Sequence, residues 1–366
     1  MKKIVVAIPH SHTWLWTQTC IASLLRYPPR AEGFEVTIVV VDNSPWSPAI
    51  RGVTDTELYD VDVVLNLKSN KFHASALDFV VETESFDYLM ALETDVLACR
   101  PDWLQWFVDQ LRPMDYAVGH WHHEQFVNPS CTLYRGSILH EMAIWCKTRS
   151  EPETLRWGPL FAKSQPIADR TPERDYREWY DQNIEWIAGP FADKRGWPVG
   201  TKLKEEPSGQ MKGPGWYEPG QMLHHMAVEN GYTYTVCPTM TTKREDGLPL
   251  QTLYGSTMPD PQRQLEAVEL FGNCASAHMW GGTRALDIIK HEVTCNFVKS
   301  NTAFWLEREA RYWKAVVPAD IQANTLNLIR KYGWYHKGAG TPDVTERDHA
   351  AVALLRECYA RGGVSW

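Results

Sequence analysis

Two acids one residue apart, Glu93 and Asp95, sit in the stretch "YLMALETDVLACRPDWL" from Tyr88 to Leu104. The apolar run Leu89–Leu92 before them reads as a buried strand. Side chains i and i+2 of a strand share a face, so in this register both carboxylates project together from the strand's carboxyl end. Paired hard oxygens there suit a divalent cation, and in open α/β sheets that end is where ligands bind. The bland alternative is a solvated turn, the more common setting for acids.

Other residues with chemical potential are scattered. "VVVDNS" ends a strand pattern at Asp42, and "SNKFHASALDFVVE" places Asn70 and Lys71 ahead of a helix. "WYEPGQMLHHMAVENGY" sets Trp216 and Glu218 before another, and "CASAHMWGGTR" carries His278 and Arg284 beside glycines. Each has a structural reading too. Asp42 suits a turn or cap, Lys71 a solvated surface and His278 a satisfied core position. Glu218 suits a helix N-terminus, where an acid is favoured by the macrodipole.

In "GHWHHE", residues 119–124, His120 and His122 share a strand face, which fits a transition-metal site, an acceptor cleft or a polar loop. His224 and His225 are adjacent on a helix and do not share a face. "GGTR" (281–284) is too short for a phosphate loop, and no Walker motif, GxSxG or HExxH occurs.

The elements that must position these residues follow from hydrophobic patterning. Continuous apolar runs at 3–8, 35–42, 62–67 and 87–93 predict strands of a parallel sheet covered on both faces. Helices are predicted near 13–26 and 73–84, and from Pro101, in the first turn, to about Leu111. This is a doubly wound α/β pattern. From Tyr116 the texture mixes strand, loop and helix start. Residues 149–215 are rich in Pro, Gly and charge, with a helix expected within "RTPERDYREWYDQNIEW" and loop at 205–215, suited to covering a substrate. A helix at 219–231 with Gly231 as its C-terminal glycine, a strand at 232–237 and helices from about 302 complete the reading.

Composition bounds the function. The chain has 366 residues, 44% hydrophobic and 22% charged, enough for one sizeable core or two modest ones. A net charge of −8 argues against a broad nucleic-acid face and makes a nucleic-acid acceptor the least expected kind. Seventeen Trp suit stacking on a sugar or another flat ligand, although large cores use Trp as well. The N-terminal apolar run, Ile4 to Ile8, is too short for a signal-peptide core or a membrane span. Eight cysteines without a CxxC motif read as reduced thiols, and the protein is expected in the cytoplasm.

Taken in order, "VVVDNS", "SNKFHAS", "ETD", "WYEP" and "CASAHMW" resemble the GT-A glycosyltransferases, particularly the family-two-like members, over roughly residues 3–285. Departures from the family pattern are Glu93 for the first Asp of DxD, Phe72 for a Gly after Asn70-Lys71, and Glu218 where many members have Asp.

The resemblance implies a GT-A (Rossmann-like), mostly parallel sheet flanked by helices, with a C-terminal helical extension. The implied domains are a catalytic unit at 1–285 and the extension at 286–366. Within the catalytic unit, 1–115 binds the nucleotide-sugar and 116–285 forms the acceptor side, with the insertion at about 149–215.

It also implies a metal-dependent transfer from a UDP-, GDP- or dTDP-linked sugar to an acceptor hydroxyl on a glycan or small molecule. Asp95, His278 and Glu93 would hold Mn²⁺ or Mg²⁺. Asp42, Asn70, Lys71, Glu93, Asp95 and Arg284 would meet the donor, with Asp42 at the nucleobase. Glu218 would be the base of an inverting displacement, and His120, His122 and Trp216 would line the acceptor side. Two other classes compete. A nucleotidyltransferase would open with a Gly-rich loop after its first strand, where this chain has "IPHSHTWLW". A non-catalytic nucleotide- or carbohydrate-binding protein of the same fold would bind without turnover.

Overall fold

The computed structural model describes residues 1–10, 13–42, 62–66, 72–122, 126–149, 204–205, 211–212, 220–241, 267–272, 275–280, 299–332, 353 and 356–365. In chain order the elements are β1 (Lys2–His10), α1 (Trp14–Arg26), β2 (Phe34–Asp42), β3 (Val63–Asn66), α2 (Phe72–Thr83), β4 (Tyr88–Leu92) and β5 (Val96–Ala98). Next come α3 (Trp103–Gln110), β6 (Asp115–His122), β7 (Phe126–Arg135), α4 (Gly136–Arg149), β8 (Lys204–Glu205), β9 (Met211–Lys212) and α5 (Gln221–Glu229). The last are β10 (Thr233–Val236), β11 (Thr239–Thr241), β12 (Ala267–Phe271), β13 (Ser276–Trp280), α6 (Lys299–Val316) and α7 (Ala319–Tyr332), followed by a helical turn at 356–361.

The main sheet has seven strands in the order β10-β6-β7-β4-β1-β2-β3. Only β7 runs against its neighbours, because β6 and β7 are joined as a hairpin. The sheet is therefore mostly parallel and helix-flanked, as expected. Alternate residues of β1 feed opposite cores. Ile4, Val6 and Ile8 pack with α1, α3, α6 and α7, whereas Val5 and Ala7 pack with α2, α4 and α5. A four-stranded antiparallel sheet, β11-β12-β13-β5, stands beside it, and β8 and β9 form a small separate ribbon.

Two boundaries differ from expectation. Helix α3 begins at Trp103, leaving Pro101 ahead of its first turn, and Asp102 pairs with Arg100 at 2.9 Å instead of capping the helix through its side chain. Strand β4 ends at Leu92, so Glu93 and Asp95 lie in the turn beyond it. At the end of α5, Gly231 takes φ 84°, the left-handed conformation that a C-terminal glycine supplies without strain. The helix expected within 170–186 lies outside the described residues.

Helix α1 is buried nearly all round: Leu15, Trp16, Gln18, Thr19, Cys20, Ile21 and Leu24 are almost wholly enclosed. Such a helix needs cover on both sides. One side meets the sheet, and α7 packs on the other. Trp313 Nε1–H of α6 donates to Thr19 Oγ1 at 2.8 Å, and Arg26 pairs with Asp320 at 2.7 Å. Trp16, Trp103 and Trp313 are fully buried, so these tryptophans serve the core. The described cysteines, Cys20, Cys99, Cys131, Cys237 and Cys358, are free thiols. Among the described residues no helix is long and apolar enough to cross a membrane.

The C-terminal layer encloses an acid. Glu309 of α6 is wholly buried, and burial pushes its carboxyl from 4.5 up to about 8, opposed by hydrogen bonding to Tyr359. The folded state thus holds the proton more tightly than the unfolded chain. The contribution is full below pH 4.5, is lost as pH rises through about 8, and is on the order of a few kcal/mol. Glu309→Gln is expected to match the parent near pH 4.5 and to exceed it increasingly towards pH 8. Urea denaturation across that range measures the difference; a constant offset would contradict it.

Candidate metal centre

The strand order locates the site. The chain runs outward through β1, β2 and β3, then returns to place β4 on the other side of β1. The crevice at such a switch point, beyond the strands' carboxyl ends, is the expected ligand position. Glu93 and Asp95 follow β4 at that point.

Their convergence comes from two sheets meeting at one turn. Glu93 N–H still donates to Ser130 O of β7 at 2.8 Å, extending the main ladder by one residue. Val96 N–H then closes the turn onto Glu93 O at 3.1 Å. Asp95 O accepts from Met279 N–H of β13 at 2.8 Å, and His278 pairs with Val96 of β5. Glu93 is thus fixed by the main sheet and Asp95 by the second sheet. Turn geometry, rather than the alternation of a continuous strand, brings the carboxylates together.

His278 completes the group. Its Nε2 lies 3.3 Å from Glu93 Oε2 and 3.6 Å from Asp95 Oδ1. One ligand atom from each of Glu93, Asp95 and His278 falls within 4.8 Å of the others. The side chains of Asp95 and His278 are 4% and 7% exposed, and that of Glu93 is 29% exposed, so the group opens to solvent on the Glu93 side. Burial raises the Asp95 carboxyl's pKa; His278 opposes this and the charge of Glu93 reinforces it. Asp95 Oδ1 is buried with no hydrogen bond to satisfy it. An orphaned carboxylate oxygen beside an imidazole and a second carboxylate fits a divalent cation, and the single nitrogen donor suits Mn²⁺.

Behind the group, Cys131 of β7 shares a hydrogen bond with Ser276 of β13 at 3.1 Å, and burial pushes its thiol up to about 12. That thiol packs and supports; it is not a nucleophile. Across the switch point, fully buried His10 ends β1, with Nδ1 bonded to Thr17 Oγ1 at 2.6 Å and Thr13 Oγ1 at 3.2 Å. Sequence reading passed over His10, although its place at the end of the first strand was the available signal.

The other site candidates separate into three groups. The backbone of Asp42 ends β2 in register with His10 of β1 and Asn66 of β3, at the same sheet edge. His120 is partly buried in β6 opposite Asn128, and His122 pairs with Phe126. His120 is not part of the metal-binding group found among the described residues. Asn70, Lys71, Trp216, Glu218 and Arg284 lie outside the described residues. His224 is buried in α5 and shares a 2.7 Å hydrogen bond with the Tyr116 hydroxyl.

No protein-family profile and no curated protein matches the chain. Solved structures similar to it include a mannosyltransferase from Pyrobaculum calidifontis in complex with GDP-Man and Mn²⁺. That match has 13% identity and a TM-score of 0.33, covering 53% of this chain and 64% of that one, so it spans less than two thirds of its length. Glucosyl-3-phosphoglycerate synthase from Mycobacterium tuberculosis, in complex with Mn²⁺ and UDP-glucose, matches at 13% identity and a TM-score of 0.32, covering 61% of this chain and 92% of that one. At these TM-scores the likeness establishes nothing about what this chain binds.

Proposed function

We propose that this protein is a metal-dependent glycosyltransferase, moving a sugar from a nucleotide-sugar to an acceptor hydroxyl with inversion at the anomeric carbon. The convergence of Glu93, Asp95 and His278 at the switch point carries the reading. A divalent cation bound there supplies neutralisation of the diphosphate's charge as it departs. Asp95, enclosed and fixed by the second sheet, serves as the rigid ligand. Glu93, more exposed, is placed to bind either directly or through a water. His278 would complete the shell with its ring nitrogen.

In this reading Asp42 accepts hydrogen bonds from the nucleobase, Asn70 meets the donor, and Lys71 and Arg284 offset the diphosphate charge. Glu218 removes the acceptor hydroxyl's proton as the new glycosidic bond forms and the bond to the diphosphate breaks. Trp216, His120 and His122 line the acceptor side, which takes a glycan or another hydroxyl-bearing molecule. The accompanying domain division is 1–285 for catalysis and 286–366 for the helical extension. The scattered free thiols support a cytoplasmic setting.

A thermal-shift screen of UDP, GDP and dTDP, each with and without Mn²⁺, tests the reading. The matching nucleotide raises the melting temperature only when Mn²⁺ is present, because a ligand that binds the native state stabilises it by mass action. No shift with any nucleoside diphosphate would overturn the proposal. Asp42→Ala is expected to weaken nucleotide binding and blur discrimination among the bases, with Mn²⁺ binding alone unchanged. Calorimetric titration of the three nucleotides checks it; an unaltered preference would return Asp42 to a structural role.

A further inference from the structure

His278 is the member of the metal group that arrives on a separate strand. Glu93 and Asp95 share the turn after β4, whereas His278 comes in on β13, whose place is set by its hairpin with β12. At the base of that hairpin Phe271 pairs with Ser276, and Gly272 O accepts from Ala275 N–H at 3.1 Å within the turn. Backbone holds the turn on two sides. Gly272 N–H donates to Pro238 O at 2.9 Å, and Cys99 N–H, just beyond β5, donates to Ala275 O at 3.0 Å.

The third side is a side chain. Trp106 of α3, half-buried, lays the six-membered part of its indole against Gly272. A Cβ at position 272 would lie 2.5 Å from Trp106 Cζ3 and 2.7 Å from Cε3. That is well inside the roughly 3.5–4.0 Å at which carbon atoms pack. Gly272 also has φ 58°, so both its conformation and its neighbour call for glycine. The indole is backed edge-on by Phe107, with ring centroids 5.1 Å apart, and Phe107 is fully buried. One continuous stretch, 93–107, thus carries both carboxylates and the plane on which the His278 hairpin rests.

We propose that Trp106 and Gly272 are positioning residues for His278, and that through it they set the site's preference for Mn²⁺ over Mg²⁺. The proposal rests on Glu93, Asp95 and His278 being a metal site. His278 follows Gly272 by six residues on a strand paired along both edges, so a shift of the turn passes along β13 to the imidazole. Metal–ligand distances tolerate only about 0.2 Å of error.

The carboxylates have their own support. Glu93 N–H reaches Ser130 O of β7, and Val96 N–H closes the β4–β5 turn onto Glu93 O. A displaced hairpin therefore costs the nitrogen donor first. Mg²⁺ is served by oxygen ligands, whereas the imidazole is what favours Mn²⁺.

Calorimetric titration of the full chain with Mn²⁺ and with Mg²⁺ tests this on the parent, Gly272→Ala, Trp106→Leu and the two changes combined. Gly272→Ala is expected to lower the ratio of Mn²⁺ to Mg²⁺ affinity by roughly tenfold, the lower end of what losing a supporting contact costs a metal site. Trp106→Leu lowers the ratio as well, because the turn loses its seat. The combined variant recovers most of what Gly272→Ala lost, because the methyl group takes the room the indole vacates. The strain of alanine at a left-handed position is common to both variants and cancels in that comparison. Equal losses of Mn²⁺ and Mg²⁺ affinity in Gly272→Ala, or a combined variant no better than Gly272→Ala, overturn the proposal. If Gly272→Ala fails to fold, an unchanged ratio in Trp106→Leu overturns it instead. A parent that binds neither cation removes the metal site and this inference with it, whereas cation binding with the same ratio in every variant removes the inference alone.

Discussion

Glu218→Gln is expected to lower sugar transfer by roughly two to four orders of magnitude, the usual worth of a positioned general base. Nucleotide and Mn²⁺ binding should stay at parental levels. The amide is nearly isosteric with the acid, and other residues are assigned to the donor site. Single-turnover transfer combined with calorimetric donor binding separates the two effects. One base-assisted displacement opposite the diphosphate inverts the anomeric centre, so NMR of the product should show the opposite configuration to the donor. A retained configuration would overturn the mechanism while leaving a transferase. Undiminished transfer would move the base elsewhere, with the histidines at 120–123 the next to substitute.

Asp95→Asn and His278→Ala should each weaken Mn²⁺-dependent nucleotide binding by at least the 10- to 100-fold that loss of a metal's outer-shell partners costs. The two should differ in stability without metal. Burial disfavours ionised Asp95, so Asp95→Asn removes a cost and should melt at or above the parent temperature at neutral pH. His278→Ala removes an enclosed ring from between two acids and should melt lower. If either variant binds Mn²⁺ and nucleotide like the parent, that residue is not a ligand.

The first four strands and their helices were legible because each is a run long enough for its hydrophobic pattern to register. The second sheet was not. β5 and β11 have three residues each, too few to show a period, although β5 and β13 place Asp95 beside His278. His278 was found through family resemblance, since its local sequence fits a core histidine equally well. The two carboxylates do lie close together, but by another route than the one expected: strand alternation predicts a shared face, and a turn between two sheets creates the proximity. Glu309 was hidden in "LEREARYW", a stretch expected only to be helical. Its position between Leu306 and Trp313 on the same helical face was the missed signal, because residues three and four apart share a side.

The cover on α1 has a consequence for biosynthesis. Translation delivers α1 long before α6 and α7, about 270 residues later in the chain. At usual elongation rates that interval lasts on the order of tens of seconds, during which the outer face of α1 has no native partner. Trp16, which meets Tyr312 of α6 in the folded chain, is then part of a sticky surface on a half-built domain, the kind of exposed apolar helix that holdase chaperones capture. Nascent chains stalled before residue 299 should accordingly stay chaperone-bound, and release should follow emergence of the segment that carries Trp313.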